Sequence, residues 1–143
     1  MGRIIAIDFG DRRIGIALSD PLQIIASPYD IIDRKITPDY LLELERIINE
    51  KAVTQIVVGI PLTMKNKDSQ QTTKVREFIA ELKLKFSLPI HLTDERMSSI
   101  SAQKILIEKG VKTGHNKGEI DKVAASIMLK EYLVILVQTF LRR

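Results

Sequence analysis

The segment Ile4-Ile5-Ala6-Ile7-Asp8-Phe9-Gly10-Asp11-Arg12-Arg13-Ile14-Gly15-Ile16-Ala17-Leu18 decides the fold. Arg3 to Phe9 is an isoleucine-rich run and reads as a buried strand. Gly10-Asp11 ends it with a turn signal. Ile14 to Leu18 reads as a second strand with small residues on one face. Asp20-Pro21 punctuates again, and residues 24–32 hold a third extended stretch interrupted at Pro28. Together the three make an antiparallel meander.

Downstream the period changes. Pro38 lies near a helix start, and Leu41, Leu42, Leu44, Ile47 and Ile48 recur at helical spacing up to about Lys51. Gln55 to Gly59 is a short apolar strand. Thr73 to Phe86 reads as a helix with Val75, Phe78, Ile79 and Leu82 facing inward, and Pro89 to Thr93 as another strand. Ser98 or Ser99 caps an expected helix that Gly110 stops, and a last helix runs from about Glu119 to Gln138. A meander followed by β-α alternation predicts an α/β protein: one mixed sheet with helices on both faces.

The bulk properties narrow the function. A chain of 143 residues suits one domain over 1–143, with one core and no need of covalent staples. It has no cysteine, so disulfides and thiolate metal sites are excluded. Any metal is held by oxygen or imidazole, which favours Mg²⁺ or Mn²⁺. No targeting segment is visible, and the longest apolar run, Tyr132 to Val137, is too short to span a bilayer. The expectation is a cytoplasmic protein with no membrane partner. A net charge of +4 is compatible with a polyanionic partner. With aromatic residues at 5% and no tryptophan, a base-stacking platform is not expected.

Most of the 18 acidic residues fall where solvated helix faces put them. Three places differ. Asp8 closes the first strand, Asp94 and Glu95 close the strand ending at Thr93, and Asp121 sits in the first turn of the last helix. Each has a bland reading: a turn residue, a surface ion-pair cluster, a partner of the helix dipole. Yet a carboxylate at the end of a buried strand is costly unless it binds something. Strand ends in such sheets form a crevice where ligands sit. From Asp121, Ala124, Ala125 and Met128 follow at i+3, i+4 and i+7 on one face, so the helix would press its small residues on the sheet and aim Asp121 along the core side. Three converging carboxylates could hold the divalent ions used for phosphodiester cleavage.

These residues resemble a known family. Ile7-Asp8-Phe9-Gly10 with Arg13-Ile14-Gly15-Ile16-Ala17 is similar to the opening hairpin of the YqgF family, also called RuvX. Val58-Gly59-Ile60-Pro61-Leu62 resembles its central strand and turn. Thr93-Asp94-Glu95-Arg96-Met97-Ser98-Ser99 resembles its Asp-Glu-Arg motif, and Asp121-Lys122-Val123-Ala124-Ala125 its last-helix motif. The matches come in the family's order over nearly the whole chain. One departure is the loop Thr63 to Ser69, which lacks the family's usual glycine.

The resemblance implies a ribonuclease H-like fold related to the junction resolvase RuvC. It implies a metal-dependent nuclease that matures the 5′ end of pre-16S rRNA or resolves recombination junctions. By the same carry-over Asp8, Glu95 and Asp121 are the catalytic and metal-holding acids, with Mg²⁺ or Mn²⁺ as cofactor. Adjacent strand residues point to opposite faces, so Asp94 and Glu95 are not both expected at the metals, and the longer Glu95 is favoured.

Candidate phosphate contacts are Arg12, Arg13 and Arg96, beside the acidic segments, and more weakly Lys65, Lys67, Lys112 and Lys117. His91 reads as a core or edge residue, and His115 lies in a polar loop. Three functions compete: a two-metal endonuclease, a phosphotransferase using the same hairpin, and a non-catalytic nucleic-acid-binding assembly factor. The phosphotransferase needs a second domain and a second phosphate loop. The binding factor gains nothing from acids that repel phosphate. No motif distinguishes pre-rRNA from branched DNA. Symmetrical cutting of a four-way junction would call for a homodimer, for which periodicity offers no seam.

Overall fold

The computed structural model describes residues 2–61, 69–94 and 117–142, with side chains in the last stretch from Ile120 onward. Five strands form one sheet in the order β3-β2-β1-β4-β5. β1 (Arg3–Phe9), β2 (Arg13–Ser19) and β3 (Ala26–Asp33) are the antiparallel meander that the opening segment predicts. β4 (Val53–Ile60) pairs parallel with β1, and β5 (Ile90–Asp94) parallel with β4, so the sheet is mixed. Three helices are described: α1 (Tyr40–Glu50), α2 (Gln70–Lys85) and α3 (Lys117–Leu141). The expected helix after Ser98 lies outside the described residues.

Alternation along β1 sorts the core into two layers. Ile5, Ile7 and Phe9 join Ile14, Ile16 and Leu18 of β2 and Ile56, Val58 and Ile60 of β4 in one cluster. Leu44, Ile47 and Ile48 of α1 and Val75, Phe78, Ile79 and Leu82 of α2 cover it. Phe9 stacks on Phe78 with ring centroids 4.2 Å apart. Ile4 and Ala6 belong to the other face with Ala17 and Val57, beneath Ala125, Met128, Leu129 and Leu133 of α3. Helices therefore lie on both faces, as predicted.

Several boundaries shift. Pro28 is tolerated because β3 is an edge strand, and the register slips opposite Ile16/Ala17, leaving Tyr29 as the extra residue. α2 starts earlier than Thr73, because the Ser69 side chain accepts from the Thr72 N–H and caps the helix. α3 runs to Leu141, beyond the expected end at Gln138. By length and composition alone, Ile120–Leu141 is apolar enough to cross a membrane, which the short run Tyr132 to Val137 does not suggest. Its first half is instead a core helix: Ala124, Ala125, Met128 and Leu129 are buried against the sheet. The second half exposes Val134, Val137 and Phe140.

Candidate active site

Asp8 shares the face of Ile4 and Ala6, directed to α3, because it stands two and four residues from them on β1. Across the ladder it pairs with Gly15 of β2. At Gly15 the backbone of α3 comes very close. A Cβ built there would lie 2.3 Å from the Asp121 carbonyl oxygen and 2.6 Å from its carbonyl carbon. Real contacts do not reach that distance, so only glycine lets the helix backbone rest on β2. α3 starts earlier than the expected Glu119, so Asp121 is its fifth residue, and the second turn of α3 lands beside the end of β1.

The result is a cleft of about 460 Å³ at the strand ends, with Asp8 and Asp121 both in its wall. Gly10, Arg13, Gly59 and Gln71 line it too. Arg13 Nε donates to Asp121 Oδ2 at 2.9 Å, joining residues 108 positions apart. The two side chains are 27% and 22% exposed, so the pair is shielded yet open to a ligand. Arg13 is therefore a partner of the acid and not a free surface cation. Arg12 also lines the cleft, more exposed, and pairs with Asp33 at 3.6 Å.

Two further residues hold the cleft in shape. Gln71 Nε2 donates to the Phe9 carbonyl at 3.2 Å, and Arg34 Nη1 donates to the carbonyls of Gly10 and Asp11 at 3.0 Å each. Both fix the turn that follows Asp8. The sequence carries no signal for Gln71, since a glutamine in a helix's first turn is ordinary. Arg34 stands out only once its carbonyl partners are seen.

Asp94 pairs across the ladder with Ile60, on the face of the α1/α2 core, whereas Thr93 pairs with Gly59 on the face of the cleft. Alternation thus turns Asp94 away from Asp8. Glu95, Arg96, Lys65, Lys67, Lys112 and His115 lie outside the described residues, as does the side chain of Lys117. His91 sits on β5 with its ring centroid 5.5 Å from that of Tyr132, an edge position as expected. Among the described residues no group of three metal-ligating side chains is gathered. The two acids that do converge offer oxygen donors only, the chemistry a hard divalent cation requires.

The chain is similar to known proteins over most of its length. The sequence model of RuvX, described as Holliday junction resolvase, matches residues 2–134. A Maridesulfovibrio salexigens protein named "Putative pre-16S rRNA nuclease" is 42% identical over 131 residues, covering 92% of this chain and 97% of that one. A Roseiflexus protein of the same name is 39% identical over 132 residues, covering 92% and 94%. Among solved structures, RuvC of T. thermophilus bound to a Holliday junction substrate superposes with a TM-score of 0.59 at 9% identity, over 97% of this chain and 98% of that one. That likeness identifies the fold as ribonuclease H-like.

Proposed function

The chain belongs to the RuvX family, and from that premise we propose that it is a divalent-metal-dependent endonuclease that processes the 5′ end of pre-16S rRNA. The observation that carries the reading is the meeting of Asp8 and Asp121 in one cleft at the strand ends. Asp8, Asp121 and Glu95 would hold the cation, Glu95 on the strength of its motif alone. When bound, a divalent cation supplies Lewis-acid activation for adding water across a phosphodiester P–O bond.

The chain's own residues prepare that chemistry. Gly15 seats α3 so that Asp121 stands over the end of β1. Arg13 orients the Asp121 carboxylate and brings positive charge to the wall where a scissile phosphate would rest. Gln71 and Arg34 hold the Phe9–Asp11 carbonyls in place. Two carboxylates with no cation between them repel the phosphate placed between them, so seating of the scissile phosphate and metal loading go together, while contacts outside the cleft do not need the metal.

The test is cleavage of a labelled pre-16S 5′ leader and a synthetic four-way DNA junction, each with Mg²⁺, Mn²⁺ or EDTA. Cutting of the leader that EDTA stops, and that Asp8→Asn lowers by at least about a thousand-fold with the fold intact, supports the proposal. Cutting of the junction alone moves the substrate to branched DNA. A folded Asp8→Asn that cuts normally sinks the site. RNA binding without cutting in Mn²⁺ favours the assembly-factor reading.

A further inference from the structure

Beside the acidic cleft lies a second cavity, of about 500 Å³. The two share Asp11 and Arg12 in their walls, so they are neighbours. Arg12, Arg34 and Lys35 line the second cavity, and Pro38 and Tyr40 complete its wall. Three cations and one carboxylate, Asp11, thus line it; Lys74 bridges that carboxylate at 2.9 Å, and Arg12 also pairs with Asp33 at 3.6 Å. Arg34 is fixed in advance. Two backbone carbonyls hold its Nη1, and its guanidinium lies 4.6 Å from the Phe9 ring centroid and 5.2 Å from that of Tyr40. A guanidinium so oriented loses little freedom on meeting an anion. Lys35, by contrast, is exposed and can reach outward.

We propose that this notch is a phosphate subsite for the nucleic-acid strand, taking a backbone phosphate that flanks the one in the cleft. It rests on the nucleic-acid substrate read above, but not on cleavage. The acidic cleft supplies little affinity for a polyanion of its own, and affinity for such a strand comes mainly from cations placed along its path. The notch places Arg34 and Lys35 beside the cleft, with Arg12 in the wall of both.

The experiment is binding without catalysis. Fluorescence anisotropy in EDTA, over a range of KCl, follows labelled single-stranded RNA and a labelled four-way DNA junction. The proteins are wild type, Lys35→Glu, Lys35→Arg and Lys83→Glu, the last an exposed α2 lysine that lines neither cavity. Lys35→Glu is expected to weaken binding about ten-fold and to lower the salt slope by about one, with Lys35→Arg near wild type. Lys83→Glu is expected to change affinity less than about two-fold. Loss on RNA alone or DNA alone assigns the strand the notch serves. Equal loss from Lys35→Glu and Lys83→Glu reduces the effect to net charge and overturns the subsite, as does an unchanged slope. Unfolding midpoints verify that the variants fold, and Lys35→Ala replaces Lys35→Glu should the reversal not fold. With no cation present, the nuclease reading can fail in the cleavage assay while this result stands. A protein that cleaves but shows unchanged slopes loses the notch alone.

Discussion

Asp8 and Asp121 were legible from spacing. One ends an apolar strand, and the other shares a helical face with Ala124, Ala125 and Met128. What places them together was not, because it is the absence of a side chain. Gly15 in Ile14-Gly15-Ile16 looks like any small residue in a strand until α3 is seen lying on it. Gly15→Ala should therefore push α3 off β2 at Asp121. Overpacking of this kind costs about 1–3 kcal/mol. Denaturant unfolding should register that loss, and cleavage should fall with it because Asp121 moves. Activity unchanged in a destabilised Gly15→Ala would separate packing from the site. The place of Arg13 in the chain suggests a phosphate contact, but its pairing with Asp121 needs coordinates, since sequence does not rank partners 108 positions away.

At the scale of elements, every strand and helix that the structure describes was anticipated, and the errors lie at their ends. The start of α2 shows why. Sequence reasoning began the helix at the apolar period, whereas the backbone begins it where a side chain satisfies the first free N–H groups. Ser69→Ala removes that cap and should cost about 1 kcal/mol in thermal or urea unfolding. Helix-to-helix contact offers a pH test. Tyr40 of α1 donates to Glu81 of α2 at 2.7 Å. Burial, then the Glu81 carboxylate, push its phenol up to about 12 from 10.0. The protonated phenol is favoured in the fold, so its contribution is complete below pH 10 and is lost as pH rises toward 12. Urea midpoints should drop across that window, and Tyr40→Phe should flatten the drop. An identical drop in Tyr40→Phe would remove the pair from the account.

At the scale of the whole molecule, the mixed sheet with helices on both faces follows from the change of period at Pro38. The division of labour within α3 does not. Its apolar residues continue past the sheet, and composition alone cannot tell a buried half from an exposed one. Leu129, fully buried, should cost about 2–5 kcal/mol when cut to Ala. Phe140, 74% exposed, should change stability by less than about 0.5 kcal/mol on replacement by Ser. Chemical denaturation measures both, and similar losses at the two positions would mean that the second half of α3 is covered in solution.

The reach from β1 to α3 also bears on when the protein becomes able to act. The strand bearing Asp8 leaves the ribosome early, whereas Asp121, in the wall of the same cleft, lies on α3 and is made much later. Until α3 emerges and settles on Gly15, the nascent chain lacks that wall of the cleft and the cover that α3 gives Ile4, Ala6, Ala17 and Val57. Chains fold largely as they are made, but contacts so distant in sequence close last. The cleft that Asp8 and Asp121 share therefore forms only once α3 is in place, and the order of segments along the chain sets when that happens.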